Sequence, residues 1–133
     1  MINLALFNES LAPLCDGVAM TVENYARIVS ERYGQAYVIT PAHPDRDPSN
    51  FPFPVWEYAS SPITVADQYR VGIPSVPKLA KKFNETPIDI IHSHTPFTSG
   101  LLATRMPPAI TCRTWRASIP SIRTISICVS RST

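Results

Sequence analysis

Three groups of side chains in this sequence have types and spacings that could do chemistry. His92 and His94 alternate along an apolar run, so that an extended backbone places both on one face. With a third ligand such a pair could bind zinc, but no Cys, Asp or Glu stands at a recognisable ligand spacing, and no metal is expected. His94, where the run turns polar, is the better functional candidate, as a donor to a substrate oxygen or phosphate, with Thr95, Thr98 and Ser99 beside it. His92 reads as a packed strand residue. Asp16-Gly17 precedes a helical pattern. There the unpaired backbone N–H groups and the helix dipole favour a phosphate, and Gly17 would admit a ligand without a Cβ in the way. A plain N-cap role for Asp16 explains the same residues equally well. Glu9 is the third candidate: it could receive a hydroxyl proton or hydrogen-bond a sugar, or be a solvated loop carboxylate. No G-x-G-x-x-G is present, which removes most support for a nicotinamide-dependent dehydrogenase.

The elements that must position these groups are legible in the hydrophobic pattern. Residues 2–7 (INLALF) form an apolar run that predicts a buried strand, and residues 8–17 a loop. Val18, Val22, Tyr25, Ala26 and Val29 recur at helical spacing, which predicts an amphipathic helix over residues 18–33, stopped at Gly34. Residues 36–40 (AYVIT) predict a second strand and complete a βαβ unit. Residues 41–54 carry five prolines and cannot be regular structure, since Pro lacks a backbone donor and restrains its predecessor. A short strand is expected at residues 55–58, an irregular connection over 60–77, and a short helix over 76–83 with Lys78, Lys81 and Lys82 outward. The two long connections are read as the rim of a cleft. Residues 88–94 predict the next strand and residues 97–105 the start of the helix after it. His94 and Thr95 then lie at the carboxyl end of a buried parallel strand, where open α/β sheets bind ligands.

At 133 residues there is room for about one domain of the usual ~100–150. No stretch approaches the ~18 consecutive apolar residues of a membrane span. The N-terminus lacks the basic flank and cleavage site of a secretory signal, which leads to the expectation of a cytoplasmic protein. Cys15, Cys112 and Cys128 are odd in number and far apart, so neither a disulfide framework nor a zinc ribbon is indicated. The net charge of +2 hides an asymmetry: residues 1–105 carry eight Lys or Arg against ten acids, whereas residues 106–133 carry four Arg and no acid. The four Arg are scattered, so a nucleic-acid partner is not expected.

Taken together, ALFNESLAPLCDGVAMTVENYARIVSERYGQAYVITP and PIDIIHSHTPFTSGLLATR resemble the N-terminal domain of glycosyltransferase family 4, the retaining GT-B enzymes. The resemblance covers residues 1 to about 106. It implies a Rossmann-like parallel sheet with flanking helices, half of a GT-B architecture, facing a second such domain across a cleft. It also implies transfer from a nucleotide sugar to a glycan or lipid acceptor, with retention, with no cofactor and no obligatory metal, and with peripheral membrane contact open to the full-length enzyme. Gly17 would correspond to the glycine loop near the donor diphosphate, and His94-Thr95 to the turn lining the cleft. The expected substrate-binding residues are therefore Asp16, Gly17, His94 and Thr95, with Glu9 and His94 as the candidates for catalysis. The other reading, from a different class, is a non-enzymatic Rossmann-like binding module.

Relative to that family the second domain and the strand after the 97–105 helix are missing. Residues 107–133 read instead as an irregular tail with nine Ser or Thr in the last 28 residues. Another reading frame from Pro107 permits a string ending in His-Ser-Lys-Tyr, as the family would continue. Trp115 followed by Arg restricts one shifted codon to Ala or Glu, of which Ala fits. The expectation is a frameshift near residues 106–107 and a truncated domain that is inactive alone; the alternative is a genuine, poorly ordered Ser/Arg-rich tail.

Overall fold

The computed structural model describes residues 1–63, 69–74, 76–95, 97–106 and 126–129. Strand β1 (Ile2–Phe7) leads through a loop into α1 (Gly17–Arg32) and back to β2 (Gly34–Pro41). Three short strands follow, β3 (Val55–Tyr58), β4 (Ser60–Pro62) and β5 (Arg70–Gly72). After them come α2 (Val76–Glu85), β6 (Ile90–Ser93), α3 (Thr98–Thr104) and β7 (Ser126–Val129). The main sheet has the order β3-β2-β1-β6-β7, with its first four strands parallel and β7 antiparallel to β6. This is the Rossmann-like α/β class that the sequence predicts.

Each strand has its physical reason. β1 and β2 are short runs of Leu, Ile, Val and aromatic residues buried on both faces, as parallel strands between helices must be. On one face Leu6, Leu11, Val22, Ala26, Ala36 and Val38 form a core under α1. On the other, Phe7, Ile39, Leu79, Phe83, Ile91 and Leu102 form a core under α2 and α3. Leu79 and Phe83, four residues apart, are the buried stripe of α2, and Lys78, Lys81 and Lys82 face outward as predicted. Gly34 sits at φ +157°, and a Cβ there would collide with the backbone of Ile2, which starts the neighbouring strand. Only Gly fits that junction.

Two expectations need correction. Residues 60–77 are not wholly irregular: β4 and β5 pair antiparallel with Ser60 opposite Gly72. Alternation of small, polar and Pro residues concealed the hairpin, which is anchored by side chains more than by pattern: the Arg70 Nε donates to Ser60 Oγ at 2.7 Å and the Ser60 Oγ to the Ala42 carbonyl at 2.5 Å. The tail is likewise not irregular throughout, since Ser126–Val129 pairs with Ile90–Ser93. Ile, Cys and Val at 127–129 suit a strand, and β6 offers a free edge. The rest of residues 107–133, and the frameshift expected there, lie outside the described residues.

Candidate active site

The strand order reverses at β1: α1 carries the chain from β1 to β2 on one side, while β6 lies on the other. The crevice beyond the carboxyl ends of β1 and β6 is the position where such sheets take ligands. Phe7 and Ser93 are in register, so Asn8 and Glu9 leave β1 beside His94 and Thr95 leaving β6. The ladder bond from His94 N–H to the Phe7 carbonyl, 2.9 Å, fixes that alignment.

Glu9 is not a solvated loop carboxylate. Its Oε1 accepts from the backbone N–H of Ser99, in the first turn of α3, and burial pushes its pKa above the ordinary carboxylate value against the lowering effect of that bond. Ser99, wholly buried, shares a 2.6 Å hydrogen bond with the Tyr58 hydroxyl at the end of β3. Burial drives the Tyr58 pKa well above that of a free phenol. Thr98 Oγ1 donates to the Gly72 carbonyl at 3.1 Å. Gly72 lies against the Tyr58 ring so closely that a Cβ would overlap it. Ser99 and Thr98, read from the sequence as ligand-facing, thus tie α3 to Glu9, β3 and the hairpin.

Asp16 takes the capping role. Its Oδ1 accepts from Ala19 N–H at 2.7 Å and from Ser10 Oγ at 3.2 Å, and its Oδ2 accepts from the Tyr69 hydroxyl at 3.2 Å. A carboxylate so placed satisfies one of the donors of α1 and sets a negative charge at its positive end. Gly17 has an ordinary backbone, and a Cβ built on it meets nothing within 4 Å. Neither strain nor packing requires glycine there, and open space remains at the first turn of the helix.

His94 is half-buried against its own element and α1. Its ring lies 4.3 Å from that of His92, edge to face, and 5.8 Å from that of Tyr25. Both histidines share one face, as predicted, and among the described residues no third metal ligand gathers around them. Burial, with His92 adding to it, pushes the pKa of His94 down to about 4; burial also lowers that of His92. Both rings are neutral near pH 7, so His94 can engage a ligand through a neutral imidazole but offers no fixed positive charge to a phosphate. The Thr95 carbonyl accepts from Ser93 Oγ at 2.8 Å and lies where a Cβ on Gly100 would meet it.

The charge that organises the rim was not singled out in the sequence. Arg46, within the Pro-rich segment, is buried and donates to the carbonyls of Leu11 (3.0 Å), Ala12 (2.7 Å) and Pro41 (2.7 Å) and to Glu57 Oε1 (3.0 Å). One guanidinium therefore holds the loop carrying Glu9 and Asp16 to the ends of β2 and β3. Nothing in the composition of residues 41–54 announced it, because two of its partners are backbone carbonyls of Leu11 and Ala12, 35 and 34 residues away. A separate hollow of about 510 Å³ opens between β3 and α2, lined by Glu57, Tyr58, Lys78 and Lys82.

The family pattern described as Glycosyltransferase Family 4 matches residues 15–125. The chain belongs to glycosyltransferase family 4. The matched stretch begins after β1 and runs to residue 125, beyond the residue 106 to which the resemblance in the sequence was expected to extend. No curated protein and no solved structure matches the chain. Among the described residues, no helix is long and apolar enough to cross a membrane.

Proposed function

We propose that this glycosyltransferase family 4 domain is the acceptor-side half of a retaining transferase that moves a sugar from a nucleotide-sugar donor to a glycan or lipid acceptor. The observation that carries the reading is the convergence of Glu9, His94 and Thr95 at the carboxyl ends of β1 and β6, where the strand order reverses. Gly17 supports it, because its open first turn leaves room for a ligand at the start of α1. In this reading Glu9 and His94 bracket the crevice, Gly17 N–H and its neighbours face the donor diphosphate, and Thr95 lines the turn. Asp16 shapes the loop through its cap, and its charge at the helix N-terminus offsets part of the attraction for a phosphate. The nucleotide sugar is a substrate, and the reaction needs neither a cofactor nor a metal from this domain.

Transfer requires groups on both sides of a cleft, so the chain alone is expected to bind weakly and to turn over nothing. Titration of the ¹⁵N-labelled chain with UDP-glucose, GDP-mannose and free oligosaccharides, followed by amide shifts, tests the reading. Shifts should concentrate at Gly17, His94 and Thr95. Perturbation confined to other elements, or none with any probe at millimolar concentration, rejects it. Sugar transfer by the purified chain would reject the expected inactivity.

A further inference from the structure

The hollow between β3 and α2 shares only Tyr58 with the hydrogen-bonded network around Glu9. At about 510 Å³ it falls within the ~300–1,000 Å³ of small-molecule sites. Helix α2 contributes Lys78 and Lys82, one turn apart, and β3 contributes Glu57. The rest of the described lining, including Ala42, Ala59 and Leu79, is uncharged and suits a carbon skeleton.

The charges on this lining do not cancel. Glu57 is its one carboxylate among the described residues, and its Oε1 accepts from the buried Arg46 guanidinium at 3.0 Å. That bond matches its charge and leaves Oε2 to accept from a hydroxyl. Lys78 and Lys82 stand at i, i+4, a spacing at which like charges repel. Lys81, on the same helix but off the lining, has an acid at that spacing instead: Glu85, 3.9 Å away. Lys82 Nζ stands 5.3 Å from the centre of the Trp56 ring, a favourable cation–π distance. That ring is itself packed between Tyr37 and Phe83, at 4.8 and 5.6 Å, so one cation of the pair rests on a fixed platform.

We propose that the hollow binds a phosphorylated sugar, with its phosphate on Lys78 and Lys82 and its hydroxyls toward Glu57. A phosphate between the two ammonium groups turns their repulsion into charge-assisted hydrogen bonds, and a compact charge on a flexible stem can close on it from either side. A bare phosphate would leave the uncharged lining without a partner, and a neutral sugar would leave the two cations unmatched. The site is separate from the crevice, and the proposal does not rest on the sugar-transfer reading.

Titration of the ¹⁵N-labelled full chain at pH 7 and low ionic strength tests it. The probes are glucose 6-phosphate and mannose 6-phosphate, with glucose and inorganic phosphate for comparison. A sugar phosphate should shift the Trp56 indole signal and the Lys78 and Lys82 amides, and should bind more weakly as salt is added. Lys78→Gln and Lys82→Gln should each weaken binding about tenfold, and Lys81→Gln should leave it unchanged. All three lysines are exposed, so these variants keep the fold. Glucose binding as tightly as its phosphate overturns the proposal, as does an equal loss in Lys81→Gln. Inorganic phosphate binding as tightly as the sugar phosphates would mean an adventitious ion only. No shift with either sugar phosphate at millimolar concentration rejects the site, and shifts confined to Gly17, His94 and Thr95 would move the ligand to the crevice and reject it equally.

Discussion

Glu9 and His94 flank the same crevice but respond to pH in opposite senses. A carboxyl whose folded pKa is raised gives up its proton more readily in the unfolded chain. Its contribution therefore favours the fold at low pH and is lost as pH rises from about 4.5 through the raised value. A histidine whose folded pKa is lowered to about 4 binds its proton more readily when unfolded. Its contribution is complete above about 6.5 and falls away as pH drops toward 4, and His92 acts in the same direction. Two substitutions separate these effects. Glu9→Gln keeps an acceptor for Ser99 N–H and removes the charge, so it should raise the urea midpoint relative to the parent at pH 7 and lose that advantage near pH 4. His94→Gln should flatten the decline of the midpoint between pH 6.5 and 4. Urea titrations at half-unit pH steps decide both, and parallel curves for all three proteins would refute the assignment.

At the scale of elements, the Arg46 contact joins the loop after β1 to the ends of the paired strands β2 and β3. The guanidinium is buried and its acceptors are three carbonyls and one carboxylate. Removing it strands all four, and the loss from breaking a buried pair is about 3–5 kcal/mol. Arg46→Met should lower stability by that amount, and Arg46→Lys by nearly as much, because an ammonium cannot reach diverging acceptors in a planar fork. The Arg46→Met, Glu57→Leu double variant should recover part of the loss, since it removes the carboxylate left unpaired. Thermal unfolding of the three variants checks this; equal stability of Arg46→Lys and the parent would contradict the fork geometry. The same contact shows what the sequence could and could not convey. β1, α1, β2, β3 and β6 were legible because each is a run of strand formers or a stripe at helical spacing, and such local patterns fix burial directly. His94 and Thr95 were legible as the polar end of such a run. The Arg46 clamp and the inward turn of Glu9 were not, because each depends on partners far apart in the chain: Arg46 and Ala12 are 34 residues apart, Glu9 and Ser99 are 90. The β4-β5 hairpin was hidden by its small, polar and Pro residues.

For the molecule as a whole, the decisive edge is that of β6. This strand has Ile91 buried on one face and half-buried Ile90 and His92 on the other, and among the described residues its outer edge is paired with Ser126–Val129. A parallel sheet ending on an apolar strand is a template for pairing with another chain. If β7 supplies the cover, a chain ending at residue 106 should lose it. The expected result is concentration-dependent association, with light scattering rising at micromolar protein where the full chain stays dispersed. The unfolding midpoint should fall as well. A charged substitution in β7 separates edge pairing from general loss of structure. Ile127→Lys in the full chain puts a cation in the covering strand opposite half-buried His92, on the face away from Ile91, and edge strands carry Lys without losing their ladder. That variant should remain monomeric if backbone pairing is what protects β6. Should the shortened chain also stay monomeric and unfold where the parent does, β7 contributes nothing to the sheet.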